Sequence, residues 1–198
     1  MNKLKSLERL ENSLSKLPSI GKKSGERIAY AMLSMSDEDL EEFSSAVKEL
    51  KANIHTCPIC GMITDQDECV FCNDTSRDET TIMVVSYAKD VISIEKSEGY
   101  HGLYHVLNGE ISMSKNKNAE DLNLESLFTR LESGKVKEVI LATNPTVDGE
   151  ITSLYIAKLL EKYNVNTTKL AFGLQMGGAL DYTDKLTLLK SLEGRRKI

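Results

Sequence analysis

All four cysteines of the chain, Cys57, Cys60, Cys69 and Cys72, fall in one stretch that reads Cys-Pro-Ile-Cys, eight residues, then Cys-Val-Phe-Cys. Each pair presents two thiolates from one tight turn, and two such turns close a tetrahedron around a single Zn²⁺. With four cysteines on one ion no coordination position stays open for chemistry. The site is therefore structural, and its binding energy is folding energy. Clustered cysteines of this spacing point to metal rather than to disulfides. His55 stands beside the cluster and reads as an exposed neighbour, not a ligand. The fold is constrained directly: residues 54–77 are expected to form a small module that a structural zinc holds together.

The preceding segment reads as helical. Leu4, Leu7, Leu10, Leu14 and Leu17 recur at three- and four-residue steps up to Pro18, the pattern of an amphipathic helix and its stop. A second helix is expected from about Lys22 to Leu33, with Ile28, Ala29, Met32 and Leu33 on its apolar side. Ser36 followed by Asp37, Glu38 and Asp39 reads as an N-cap and an acidic first turn. The third helix is expected to run to about Asn53, with Leu40, Phe43, Val47 and Leu50 facing inward.

The following segment alternates. Strands are expected at Thr80–Val85, Leu103–Leu107, Glu138–Thr143 and Lys169–Phe172. Helices are expected at Lys89–Lys96, Leu124–Ser133 (stopped by Gly134) and Glu150–Tyr163, with a last helical or mixed segment at Leu180–Leu192. β-branched runs alternating with helical patterns argue for a mainly parallel sheet covered on both faces. The fold class is thus α/β in several modules: helical at 1–53, cysteine module at 54–77, parallel sheet of Rossmann type at 78–175, and a helical, basic segment at 176–198.

The 198 residues are 28% charged with a net charge of −5, unevenly spread. Residues 1–30 carry +4, through Lys3, Lys5, Arg9, Lys16, Lys22, Lys23 and Arg27 against three glutamates, and residues 185–198 carry +4, which leaves −13 for the body. A local basic face attracts phosphate whatever the global sign. No apolar run approaches the roughly 20 residues of a membrane helix. The N-terminus alternates charge with leucine instead of presenting the apolar block of a secretory signal. A cytoplasmic protein without membrane partners is expected.

Leu17-Pro18-Ser19-Ile20-Gly21-Lys22-Lys23-Ser24-Gly25-Glu26-Arg27 places a tight turn between two helices, with Lys23 and Arg27 four apart on one face. It resembles a helix-hairpin-helix DNA-binding motif, with Ser19 where such motifs carry a glycine. Gly21 lets a phosphate approach the backbone, and the N–H groups opening the second helix receive it. Phosphate contacts of this kind read no bases.

Ala142-Thr143-Asn144-Pro145-Thr146-Val147-Asp148-Gly149-Glu150 follows a buried strand and opens a helix, where parallel sheets bind ligands. It resembles the acidic loop of Toprim domains, in which an Asp-x-Asp, a Gly-Glu and an earlier Glu hold Mg²⁺. Here Asn144 and Thr146 stand at the Asp positions and Ser86 at the early Glu. Only Glu150 matches, with Asp148 as an extra carboxylate. A catalytically poor Toprim-like fold is expected, and no catalytic residue is assigned. His101 and His105 are read as structural.

The order of these parts adds to the resemblance: hairpin, four-cysteine module, Toprim-like sheet, then the basic end Gly194-Arg195-Arg196-Lys197-Ile198. With Ser76-Arg77-Asp78, Gly102–Leu107 and Gly177-Gly178, the chain resembles the RecR family of bacterial recombination mediators along nearly its whole length. One departure is Ser114–Asn118, where relatives carry a Pro- and Gly-containing loop. The resemblance implies a cytoplasmic, nucleoid-associated role in recombinational DNA repair with RecO and, in many bacteria, RecF, loading recombinase on single-stranded DNA. It implies a dimer or ring-like tetramer around DNA, bound as duplex or single strand without sequence preference. Gly21, Lys22, Lys23 and Arg27 would contact DNA, and Cys57, Cys60, Cys69 and Cys72 would hold one Zn²⁺. Asn144, Thr146, Asp148 and Glu150 would face RecO. Alternative readings are a Toprim-type Mg²⁺-dependent nuclease or topoisomerase-like enzyme, which should show acids at Ser86, Asn144 and Thr146, and a scaffold that binds protein only.

Overall fold

The computed structural model describes residues 4–195 and Lys197. Lys3 and Arg196, counted above in the charged ends, and Ile198, quoted with the basic end, lie outside the described residues. The chain divides into two compact units, the first ending at Ile54 and the second beginning at His55.

The first unit is helical: α1 (Lys5–Leu14), α2 (Lys22–Met32) and α3 (Asp37–Asn53). α1 and α2 pack through Leu7, Leu14 and Ala29, flanked by Leu10, Ile20 and Ile28. Gly25 sets their separation: a Cβ there would lie 2.9 Å from Ser15 Oγ and 3.2 Å from the Glu11 carbonyl. Ser36 caps α3 as expected, accepting a hydrogen bond from the Asp39 N–H at 3.1 Å. The inward stripe expected of α3 is not found. The helix buries no residue, and Phe43, Val47 and Leu50 are 47%, 58% and 60% exposed. Leu33, the C-cap of α2, is exposed as well. Periodicity marks an apolar face but does not say what covers it.

The second unit opens with β1 (His55–Thr56) paired antiparallel to β2 (Ile63–Thr64), then the short helix α4 (Val70–Asn73). The sheet follows: β3 (Asp78–Val85), α5 (Ala88–Glu95), β4 (Gly102–Val106), α6 (Glu125–Glu132), β5 (Glu138–Ala142), α7 (Val147–Leu160) and β6 (Asn166–Lys169). Its strands run parallel in the order β4-β3-β5-β6. α8 (Lys185–Glu193) closes the chain.

Alternation along β3 explains the two cores. Ile82 and Val84 face one side, with Leu107, Leu127, Val139, Leu141, Ile156 and Leu160. Met83 and Val85 face the other, with Val91, Tyr104 and Val106. Cys57, Cys60, Met62 and Cys69 belong to that second core. The cysteine stretch therefore covers one face of the sheet together with α5.

Two of the boundaries that differ from expectation have a visible cause in the hydrogen bonding. α7 begins at Val147 rather than Glu150, because the Thr146 Oγ1 accepts from the Gly149 N–H at 3.0 Å and starts the helix a turn earlier. The last strand lies at Asn166–Lys169, not Lys169–Phe172. The Asn166 N–H donates to the Lys137 carbonyl at 2.7 Å and fixes that register, while Leu170, Ala171 and Phe172 line a cavity of about 480 Å³ beyond the strand. Gly134 ends α6 at φ +70°, a left-handed position that glycine adopts without steric penalty. Among the described residues no helix is long and apolar enough to cross a membrane.

Candidate nucleic-acid interface and metal centre

Gly21 is the N-cap of α2 and supplies no side chain to cap it, and the first turn carries no acid. The orphan N–H groups of that turn face a surface set with cations: Lys22, Lys23 and Arg27 are all exposed. A Cβ on Gly21 would meet nothing within 4 Å, and its φ of −81° suits any residue. Its contribution is open space over the helix start. The left-handed conformation belongs to Ser19 instead, at φ +67°. A serine holds such a conformation at a penalty of about 1 kcal/mol, which is the conformational reason for a glycine at this place in hairpin motifs.

The four cysteine sulfurs all lie within 4.8 Å of one another. Cys60 Sγ and Cys69 Sγ are 3.4 Å apart, Cys57 Sγ and Cys72 Sγ 3.9 Å. Zn–S bonds of about 2.3 Å in a tetrahedron set sulfur–sulfur edges of about 3.8 Å. The donor set is all thiol, which suits a borderline-soft divalent ion. Backbone bonds build the two turns: Gly61 N–H to the Cys57 carbonyl at 2.9 Å, and Cys72 N–H to the Cys69 carbonyl at 3.0 Å. Gly61, at φ +75°, is required, since a Cβ there would overlap Asn123 and the Val106 carbonyl. Thiols this close cannot all ionise unaided. Hydrogen bonds from Cys60 and Cys72 hold Cys69 low, while Cys60 and Cys72 are pushed up. A divalent cation among them removes that conflict.

At the carboxyl ends of β3 and β5 the structure brings together a set that sequence reasoning only half identified. Ser86, Asn144 and Thr146 converge on Glu110, which comes from the loop after β4. Glu110 is 7% exposed. Its Oε1 accepts from Ser86 Oγ at 2.6 Å, Asn144 Nδ2 at 2.9 Å and the Asn144 N–H at 3.3 Å, and its Oε2 from Thr146 Oγ1 at 3.4 Å. The three side chains at the Toprim acid positions thus act as donors around one carboxylate. Asp148 is half-buried, and Glu150 pairs with Lys169. Gly149 allows the turn: a Cβ there would overlap the Asn144 carbonyl and reach 3.0 Å from Glu110 Oε1. Glu110 was missed because it lies in a polar loop far from the strands in sequence. The loop folds back on itself, with Ser112 bridged to Lys117 and Lys117 Nζ donating to the Asn108 carbonyl at 2.6 Å.

His105 is fully buried, with Nε2 2.6 Å from the Asn123 carbonyl, and burial lowers its pKa to about 4. A ring that gains a proton only near that value does no acid–base work at neutral pH. Arg77 links the cysteine module to the sheet. Its guanidinium makes two bonds to Glu95, at 3.1 and 2.7 Å, donates to the Gly102 carbonyl, and lies over the Phe71 and Tyr104 rings. The pair with Arg77 holds Glu95 below the usual carboxylate range.

Comparison with known proteins gives a consistent picture. The RecR helix-hairpin-helix family matches residues 7–51, the Toprim domain family residues 80–171, and the RecR C-terminal family residues 176–196. The protein named Recombination protein RecR from Streptococcus pyogenes serotype M49 is 47% identical over 192 residues, covering 97% of either chain. Its counterparts from serotypes M3 and M18 match equally, at 47% over 97% of either chain.

Proposed function

The chain belongs to the RecR family of recombination proteins, and from that premise we propose that it is a DNA-binding mediator that works by holding DNA and a partner rather than by catalysis. One observation carries the reading: the uncapped start of α2 gathers Lys22, Lys23 and Arg27, all exposed, around free N–H groups beside Gly21. A backbone phosphate seated there would receive those N–H groups and the Lys23 and Arg27 charges together. Such contacts hold duplex or single-stranded DNA alike.

The four cysteines take one Zn²⁺ whose role is to lock the module to the sheet. Asn144, Thr146, Asp148 and Glu150 form the face for RecO, and RecF joins in bacteria that use it. Copies close into a dimer or a ring-like tetramer around DNA, and the complex places recombinase on single strands. In this reading 1–53 binds DNA, 54–77 holds zinc, 78–175 is the Toprim domain and 176–198 serves assembly. What supports the absence of Toprim catalysis is the donor character of Ser86, Asn144 and Thr146, whose polar atoms are engaged by Glu110.

Supercoiled plasmid incubated with the protein and Mg²⁺ is expected to stay intact, while the protein retards it in a gel. Metal-dependent nicking that disappears in Glu150→Ala would overturn the reading in favour of an enzyme.

A further inference from the structure

We propose that Arg130, carried by α6, is the counter-ion of the four-cysteine centre and strengthens its hold on a divalent cation. The proposal rests on reading the cluster as a zinc site. Four thiolates and one Zn²⁺ leave an excess of two negative charges. Three of the cysteines are buried, and an excess charge in a weakly solvated setting is stabilised by a nearby opposite charge.

Arg130 stands where that charge is needed. Pro58 and Ile59, the two residues between Cys57 and Cys60, share with Arg130 the wall of a cavity of about 430 Å³. The guanidinium donates from Nη1 to the Tyr104 carbonyl at 2.7 Å, and Tyr104 packs in the same core as Cys57, Cys60 and Cys69. Among the described residues no carboxylate pairs with Arg130. Glu125, on the same cavity wall, forms no ion pair with it. Burial lowers the Arg130 pKa, and the opposing influences are Cys72, Cys60 and Cys57 in that order, followed by Tyr100. The nearby Arg77 differs, since Glu95 already neutralises it through two hydrogen bonds. A half-buried guanidinium held by one carbonyl, on the cavity wall it shares with the turn between Cys57 and Cys60, has its charge complement in the cluster. The cysteine module thus supplies the ligands, and α6 supplies the balancing charge.

Zinc affinity of the full chain, measured at fixed pH by competition with a chromogenic chelator, tests this. Wild type is compared with Arg130→Gln and Arg130→Lys, with thermal melts of zinc-loaded and zinc-stripped samples alongside. Arg130→Gln is expected to weaken zinc binding by about 10- to 100-fold, and Arg130→Lys, which keeps the charge, to recover most of that loss. If Arg130 only tethers the Tyr104 carbonyl, both variants melt lower by equal amounts with and without zinc, and affinity is unchanged. That result overturns the proposal. Should the glutamine variant not fold, a lysine variant that has lost zinc affinity by 10-fold or more overturns it equally. A wild type that takes up no zinc overturns the metal reading itself, and the proposal with it.

Discussion

Cys60→Ser is expected to unfold much of the second unit, not just loosen a surface knuckle. Cys60 is fully buried and shares a core with Met83, Val85, Tyr104 and Val106. Its carbonyl also accepts the Val106 N–H at 2.7 Å, so the turn that carries it is stitched to β4. A structural zinc contributes about 10–16 kcal/mol in isolated finger peptides, comparable with the about 5–15 kcal/mol of a whole domain. Loss of one ligand should lower the melting temperature by about 15 °C or more, or leave the variant insoluble. Chelator treatment of wild type should reproduce the effect. Circular dichroism melts with zinc analysis check it. A Cys60→Ser variant that binds no zinc and still melts within about 3 °C of wild type would show that the sheet stands without the centre.

The second large effect is expected at Glu110. Glu110→Ala leaves Ser86 Oγ, Asn144 Nδ2 and the Asn144 N–H without their common acceptor in a site that is nearly closed to water. Unpaired buried donors and a lost charged partner together cost about 3–5 kcal/mol. Glu110→Gln keeps an acceptor oxygen and should lose about 1–2 kcal/mol. Urea unfolding of the three proteins measures the order. An alanine variant as stable as the glutamine variant would mean that water replaces the carboxylate and that Glu110 does not organise the loop from Asn144 to Glu150.

These two sites mark what a reader of the sequence can and cannot see. The cysteine cluster is legible because four ligands on one ion require a local spacing, and that spacing survives in the string of letters. The turn from Leu17 to Arg27 is legible for the same reason, and so are Ile82–Val85 and Val139–Ala142, whose continuous apolar runs mark strands buried on both faces. Glu110 is not legible. Its partners lie 24, 34 and 36 residues away, and only the parallel order β4-β3-β5 brings the strand ends together. The last strand was displaced by three residues because Leu170–Phe172 is more apolar than Asn166–Lys169, whereas hydrogen-bond register, not hydropathy, decides which residues pair. The stripe on α3 shows the converse case: its period is right, and its burial is not.

The reason for a glycine in hairpin motifs also becomes physical here. Ser19 is the residue at φ +67°, so the departure from the motif concerns backbone conformation ahead of phosphate approach. Gly21, where a Cβ would meet nothing within 4 Å, leaves bare backbone open at the start of α2.

The central claim is that the exposed cations at the start of α2 hold DNA through its phosphates. The most direct measurement is a salt titration of DNA binding by fluorescence anisotropy, on duplex and single-stranded probes, for wild type and for Lys23→Ala/Arg27→Ala. Wild-type binding should weaken steeply as salt rises, with no preference for sequence. The double variant should keep its fold and its zinc, lose about 10-fold or more in affinity, and show a salt slope smaller by about 1–2. A double variant that binds both probes with the wild-type affinity and slope would contradict the claim and place the DNA contact elsewhere on the chain.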